Sequence, residues 1–162
     1  MCQLIHSFIF LKKNIFLLYN KMYNKKTQDL EFGAKNEQVV LSKLRDYFKS
    51  QDINKTELKM DTFDFIDKIN KTIFELKSRR IFKNQYYDVM IGYNKILDGL
   101  KHIDNGYRVI LCWSFKDKLC FHELTKENFN KSWLKIGGRY DRGKDETNMC
   151  YFVPTKEMID II

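Results

Sequence analysis

Hydrophobic residues recur at helical spacing in the first third of the chain. In the segment Glu31–Ser50, the apolar residues Val40, Leu41, Leu44 and Phe48 fall on one face of a helix. Such a stripe predicts an amphipathic helix whose apolar face packs against a core.

Two segments rich in β-branched and aromatic residues follow this helix. They are Thr62–Asp67 and Thr72–Arg80, and the polar stretch Lys68–Lys71 separates them. Short apolar runs on either side of a turn-like stretch predict a β-hairpin.

A second helical stripe lies between Tyr86 and Ile103, and Asn105-Gly106 supplies the stop expected after a helix. The stripe consists of Met90, Tyr93, Leu97 and Leu100. We therefore predict a helix over Tyr86–Ile103.

The C-terminal half contains further strand-like segments. Tyr107–Phe115 and Leu119–Leu124 flank a polar turn, and their continuous apolar character predicts two strands that are buried on both faces. The remaining predictions are a short helix from a Thr125 cap to Phe129, a strand at Trp133–Gly138, a charged loop at Arg139–Asn148 and a closing strand at Cys150–Val153.

The order of these elements is α-β-β-α-β-β with additions, and 162 residues suffice for one domain. We expect an α/β fold in which helices flank a central mixed β-sheet. We expect a single domain over residues 30–162. Residues 1–29 are interpreted as a poorly structured extension or as a segment upstream of the true start. Lysines interrupt the apolar run Leu4–Leu18, so we expect no stable membrane insertion, and a peripheral membrane helix is the alternative interpretation of this segment.

The formal net charge is +8 and the pI is near 9.2. A basic surface concentrates polyanions, so nucleic acid is the expected partner, although charge alone does not identify it.

The four cysteines, Cys2, Cys112, Cys120 and Cys150, include no CxxC pair, so we expect no zinc site. Cys112 and Cys120 have positions that could face each other across a hairpin. Both lie in apolar runs, where buried free thiols are the commoner state. We therefore expect an intracellular, reducing compartment.

Candidate chemistry lies on the predicted hairpin. Alternation places Glu75 and Lys77 side by side on one face of an otherwise apolar strand, where unpaired charge is costly. Asp64 projects from the neighbouring strand, away from Phe63 and Phe65. Asp64 and Glu75 can thus meet and offer Mg²⁺ two hard oxygen ligands. Asp61 and Asp67 are alternative ligands if the strand register is shifted.

Glu37 lies in the apolar stripe of the first helix, four residues before Leu41. Two interpretations remain open. Either a cation or a hydrogen bond receives the carboxylate on the core side, or Glu37 lies near the helix start, partly hydrated and favoured by the helix dipole.

Asp64, followed after a hairpin by Glu75-Leu76-Lys77, resembles the D...ExK signature of the PD-(D/E)xK nuclease superfamily. Phe63 occupies the position of the usual Pro. The resemblance extends over the element order of about Glu31–Leu124. The Gly137–Glu146 and Tyr151–Pro154 segments resemble small virus-encoded members. The resemblance implies a restriction-endonuclease-like core of order α-β-β-α-β, here with additional C-terminal strands.

The resemblance also implies a metal-dependent nuclease that hydrolyses phosphodiester bonds, with DNA as the expected substrate and Mg²⁺, replaceable by Mn²⁺, as cofactor. Asp64 and Glu75 are then metal ligands, together with the backbone carbonyl of Leu76. Lys77 positions the attacking water or stabilises negative charge. Glu37 reaches the metal shell through water or a second ion.

Several basic residues are candidate nucleic-acid contacts. They are Arg79, Arg80, Arg139, Arg142 and Lys144. Lys95 is disfavoured because the predicted helical periodicity places it opposite the apolar stripe.

The alternative from another class is a catalytically inactive nucleic-acid-binding module on the same fold, which would retain DNA without cutting it at any Mg²⁺ concentration. The sequence leaves open DNA against RNA, endonuclease against exonuclease, and the oligomeric state. A double-strand endonuclease would favour a homodimer with two active sites.

Overall fold

The computed structural model describes residues 27–57, 62–130, 133–138 and 147–162. Residues 27–48 form a helix, α1, which confirms the first predicted helix. Val40 and Leu44 are buried, and Leu41 and Phe48 pack against the same cluster. Lys49 follows the helix with a positive φ of 54°.

A six-stranded sheet forms the centre of the described fold. Its strands are β1 (Ile53–Lys55), β2 (Phe65–Asp67), β3 (Thr72–Ser78), β5 (Arg108–Ser114), β6 (Leu119–Leu124) and β9 (Ile159–Asp160), hydrogen-bonded in that spatial order. Only the β3–β5 pair is parallel among these neighbours. The predicted hairpin is present, although β2 is shorter than Thr62–Asp67 and β3 ends before Arg80. We did not predict β1 or β9, whose few residues alternate too briefly to give a signal.

The prediction of one helix over Tyr86–Ile103 is wrong in its first part. Asp88–Gly92 forms a strand, β4, and helix α2 covers Tyr93–Asp104. Val89 and Ile91 are buried and their neighbours are less so, which is the period of a strand. Hydrogen bonding of β4 to a distant segment overrides the apparent helical stripe through Met90.

That distant segment is β8 (Thr147–Pro154), which lies between β4 and β7 (Trp133–Gly138) in a second, three-stranded antiparallel sheet. The predicted strands at Trp133–Gly138 and Cys150–Val153 are therefore present. The expectation that Cys150–Val153 closes the central sheet is wrong, because β8 pairs with β4 and β7. Of the predicted loop Arg139–Asn148, residues 139–146 lie outside the described residues, and the remainder belongs to β8.

The short helix α3 covers Lys126–Asn130, one residue beyond the predicted end. Thr125 caps it as predicted, because the Asn128 backbone N–H donates to Thr125 Oγ1 at 3.1 Å. The Thr125 N–H in turn donates to Asn128 Oδ1 at 2.8 Å.

Side chains cover the central sheet on both faces. One face packs against α1 through Phe65, Phe74 and Leu76. The other packs against α2 through Ile73, Val109 and other residues of a second cluster. Gly99 permits the close approach of α2, since a Cβ there would lie 3.0 Å from Leu124 and 3.2 Å from Val109.

The free cysteines Cys112, Cys120 and Cys150 are buried, as expected. In the β5–β6 register, Cys112 is opposite Phe121 and Cys120 is opposite Trp113, so the two thiols are not directly paired. The described helices include none that is long and apolar enough to cross a membrane. The domain boundary near residue 30 and the compartment stay predictions.

Candidate active site

Strand β3 presents its charged side chains to one face of the central sheet. Phe74 and Leu76 pack on the α1 side, whereas Ile73 belongs to the cluster on the α2 side. Alternation along the strand therefore directs Glu75 and Lys77 to the α2 side. In the sheet, Glu75 is paired in register with Leu111 of the parallel neighbour β5.

Glu75 is a buried carboxylate held between two lysines. The residue is only 1% exposed. Lys77 Nζ contacts its Oε1, and Lys95 Nζ lies 3.1 Å from its Oε2. Both lysines are partly exposed, so their ammonium groups lie between the buried carboxylate and solvent.

Burial raises the pKa of Glu75 above its ordinary value. The charges of Lys77 and Lys95 act in the opposite direction, whereas the nearby charge of Asp64 raises the pKa further. The two lysines therefore offset only part of the cost of ionising this carboxyl group, and a further cation would favour its charged form.

Asp64 lies beside β3 and immediately precedes Phe65, the first residue of β2. Its backbone N–H donates to the Phe74 carbonyl at 3.0 Å, and its Oδ2 accepts a hydrogen bond from the Leu76 N–H at 2.6 Å. The side chain thus takes the place that a further β2 residue would occupy. Because the N–H and C=O of one strand residue point to the same side, the Leu76 carbonyl is directed to this edge as well.

The Asp64 and Glu75 carboxylates and the Leu76 carbonyl form a set of hard oxygen donors, which suits Mg²⁺. The fit carries one condition. Lys77 and Lys95 contact both Glu75 oxygens, so at least one ammonium group must turn aside for an ion to bind Glu75 directly. Their partial exposure leaves room for that movement.

Glu37 is not grouped with this pair. Its Oε2 lies 2.5 Å from Nζ of Lys55 on β1. A cation therefore receives the Glu37 carboxylate, which is what the first of the two interpretations above required. Among the described residues, no three acidic, histidine or cysteine side chains are close enough to hold one metal ion. A role for Glu37 at the metal stays a prediction.

Asp67, the alternative ligand, is buried at the start of the β2–β3 turn. Its carboxylate accepts hydrogen bonds from Ser50 Oγ at 2.6 Å, from the Asn70 N–H at 2.9 Å and from Asn70 Nδ2 at 2.8 Å. Burial raises the pKa of Asp67, but these hydrogen bonds outweigh it and leave the pKa below its ordinary value. Asp67 therefore stabilises the β2–β3 turn. Asp61 lies outside the described residues.

The arginines that follow β3 contact the protein itself. An Arg79 Nη donates to the Met90 carbonyl at 3.0 Å and so ties β3 to β4. Arg80 pairs with Asp29 and lies 4.4 Å from the centre of the Phe32 ring, so it holds α1. Arg139, Arg142 and Lys144 lie outside the described residues. The nucleic-acid contacts of all five stay predictions.

Lys95 is the site residue that sequence reasoning missed. The error came from the helix phase, because the predicted stripe included Met90 and the exposed Leu97. In α2 the buried residues are Ile96 and Gly99. Lys95 precedes Gly99 by four residues and therefore flanks the buried stripe. The three-residue spacing of Ile96 and Gly99 indicates the buried face of α2. That face could have identified Lys95 as a residue at its border.

A groove of about 580 Å³ borders the hairpin beside Asp64. Its walls include Thr62 and Phe63, which immediately precede Asp64, and His102 of α2. Lys95 Nζ also contacts the Thr62 carbonyl. The site therefore lies between the start of α2 and the end of β3 that β2 leaves unpaired.

A family model described as "Phage putative PDDEXK endonuclease" matches residues 22–160. The match spans the hairpin, α2 and both sheets. No curated protein matches the chain significantly. The mixed six-stranded sheet with its helices agrees with a domain of that family. The chain therefore belongs to the phage PD-(D/E)xK endonuclease family.

Proposed function

We propose that this protein is a Mg²⁺-dependent endonuclease that hydrolyses phosphodiester bonds of DNA on a restriction-endonuclease-like core. One observation carries the proposal. Glu75 is a buried carboxylate on the central strand, beside Asp64 and between two lysines. A buried acid with compensating cations in this arrangement is costly for stability alone and is typical of a catalytic centre.

Asp64, Glu75 and the Leu76 carbonyl would hold the divalent cation. When bound, Mg²⁺ lowers the pKa of a bound water and offsets negative charge on the phosphate. Mn²⁺, with similar oxygen preference, is expected to substitute.

The lysines then act on the substrate. Lys77 continues the strand beyond Glu75, where its ammonium group can orient the attacking water or contact a phosphate oxygen. Lys95 approaches Glu75 from α2 at 3.1 Å. With both present, charge that develops as the phosphorus becomes pentacoordinate meets positively charged groups of the site.

The leaving 3′- or 5′-oxygen must gain a proton. A lysine ammonium group or a water can supply it, and the deprotonated donor is restored from solvent. Neither step requires a residue outside the described site. Asp64, with one oxygen held by the Leu76 N–H, keeps its other oxygen available at the edge of β3.

The test is a cleavage assay on supercoiled plasmid, linear duplex, single-stranded and branched DNA, with Mg²⁺, with Mn²⁺ and with excess EDTA. Variants are Glu75→Gln, Asp64→Asn and Lys77→Met. Glu123→Gln is the matched control, since Glu123 lies in the same sheet but pairs with Arg108 at 2.9 Å on an exposed surface.

We expect Glu75→Gln to lose on the order of 1000-fold in rate or more, because several kcal/mol of charge stabilisation depend on the metal. Glu123→Gln should cut at the wild-type rate. A wild-type protein that binds DNA and cuts none of the substrates with either metal would replace this proposal with the binding-module alternative.

A further inference from the structure

The loop of residues 79–87, between β3 and β4, carries three large exposed rings. Phe82 is 55% exposed, Tyr86 56% and Tyr87 69%. Three such rings within six residues give this loop a large exposed aromatic area. Clustered exposed rings on a folded protein mark a site of interaction more often than a single exposed ring does.

Hydrogen bonds hold the backbone under these rings. The Lys116 N–H donates to the Ile81 carbonyl at 3.0 Å, and the Lys83 N–H donates to Asp117 Oδ1 at 2.9 Å. At the other end of the loop, the Thr155 N–H donates to the Tyr87 carbonyl at 2.9 Å. The rings are thus presented from a fixed backbone, which lowers the entropy lost when a ligand binds them.

Lysines accompany the rings. Lys116 Nζ lies 5.5 Å from the centre of the Phe82 ring, and Lys156 Nζ lies 5.8 Å from that of Tyr87. Lys83 pairs instead with Asp160. A ring with a cation above it offers one surface for a flat aromatic group and one charge for an anion beside it.

The loop joins the two elements that hold the candidate active site. It begins just after β3, which carries Lys77, and it leads through β4 to α2, which carries Lys95. Phe82 is five residues from Lys77, so the covalent chain limits their separation to about 18 Å. That reach corresponds to about five nucleotides at the rise of one stacked strand.

We propose that Phe82, Tyr86, Tyr87, Lys116 and Lys156, here called the aromatic platform, bind unpaired nucleobases of the nucleic acid whose cleavage is proposed above. The rings stack on exposed base faces, and the lysines contact the phosphates between them. Paired bases in an intact duplex hide those faces, so the platform favours a substrate with a single-stranded segment. This inference rests on the proposed function only for the position of the cut relative to the aromatic platform. Binding of bases by the platform does not depend on it.

The test measures binding without cleavage, by fluorescence anisotropy in EDTA. The probes are a labelled oligothymidine, a blunt duplex of equal length, and a duplex with a single-stranded overhang. The variants are Tyr87→Leu, Tyr87→Phe and the triple change of Phe82, Tyr86 and Tyr87 to Leu. Ile69→Ala is the control, because Ile69 is 72% exposed in the turn at the opposite end of β3.

We expect Tyr87→Leu to weaken oligothymidine binding about 5- to 100-fold, which is the range of losing one stacked ring. Tyr87→Phe keeps the ring and should bind within about twofold of wild type. The triple variant should bind all three probes alike, and Ile69→Ala should match wild type. Thermal unfolding of each variant verifies that it is folded.

Wild-type affinity of the triple variant for oligothymidine would overturn the inference, as would an equal loss on oligothymidine and blunt duplex. Sedimentation provides a separate check. If wild type self-associates and the triple variant does not, the rings form a protein interface and the inference is wrong. Platform binding without metal-dependent cutting would reject the proposed function alone, and cutting without ring-dependent binding would reject the platform alone.

Discussion

At the scale of single residues, the candidate site combines a buried acid with two lysines that only partly compensate it. The pKa of Glu75 is raised chiefly by burial. A raised folded-state pKa means that this group favours folding below its ordinary pKa and loses that contribution as pH rises through the folded value. At neutral pH the ionised carboxyl is therefore a cost to the fold.

Glu75→Gln should consequently raise the free energy of unfolding at neutral pH, because the glutamine amide carries no charge to desolvate. The gain should shrink below about pH 4, where the wild-type carboxyl is protonated in both states. Urea unfolding of both proteins at the two pH values measures it. Added Mg²⁺ should stabilise the wild type but not the variant. A variant that is less stable at neutral pH would contradict the assigned cost.

Lys95 lowers the pKa of Glu75 and lies against its Oε2. Lys95→Met should slow cleavage on the order of 100-fold and shift the acid limb of the pH–rate profile to higher pH. The profile distinguishes this role from a structural one. Lys101→Met is the control on the same helix, because Lys101 pairs with Asp98 and not with Glu75. An unshifted acid limb would remove Lys95 from the site.

The sequence predicts Asp64, Glu75 and Lys77 as site residues because alternation on an apolar strand makes charged residues conspicuous, and the structure brings the three together. The sequence could not supply the hydrogen bond from the Leu76 N–H to Asp64, which depends on where β2 begins. It also missed Lys95, whose place depends on a helix phase that begins at Tyr93. Both the Leu76–Asp64 hydrogen bond and the position of Lys95 depend on contacts between elements that are distant in the sequence.

At the scale of elements, the end of α1 offers a direct test of the backbone. Lys49 has a φ of 54°, and the Ser50 N–H donates to the Arg45 carbonyl at 3.1 Å. This bond spans the last turn, as in a glycine-terminated helix. Lysine is strained in that left-handed conformation and glycine is not.

Lys49→Gly should therefore increase the free energy of unfolding by about 1 kcal/mol, and Lys49→Val should decrease it. Urea denaturation measures both changes. Lys43→Gly, inside the same helix, should show the opposite sign to Lys49→Gly because glycine there costs about 1 kcal/mol. Equal effects of glycine at the two positions would mean that the helix end is not as described.

Helices and strands were predictable from the sequence where a single apolar pattern was enough to identify the element. Helix α1 and strands β5 and β6 have long, unambiguous apolar patterns. The segment 86–103 combined a period-two stretch with a true helix, and Met90, which lies off the buried period of β4, happened to fit the helical spacing. Its division at Gly92 is set by pairing with β8, about sixty residues away, which no local pattern contains.

At the scale of the whole molecule, two sheets share one apolar cluster. Tyr151 and Val153 of β8 pack with Trp113 and Leu111 of β5. Phe129 stacks on Tyr151 with ring centres 6.2 Å apart. The second sheet is therefore expected to unfold together with the central one.

The buried thiols of Cys112, Cys120 and Cys150 report on that cooperativity. Burial raises the pKa of all three, that of Cys120 to about 12 with a further contribution from its contact with Asp160. In a Cys2→Ser variant, iodoacetamide at neutral pH should label all three at one common rate, that of unfolding. Mass spectrometry of a labelling time course would show it. Earlier labelling of Cys150, which lies in β8, would mean that the second sheet opens alone.

Strand β2 has three residues and its partner β3 has seven. This mismatch leaves the end of β3 without a strand on that side within the described chain, and Asp64 occupies the gap. A designer who lengthened β2 to complete the ladder would gain backbone hydrogen bonds and a tidier hairpin. The same change would seal the edge where oxygen donors are accessible. Under the proposed function, incomplete pairing is the condition for chemistry, and stabilising redesign should leave it alone.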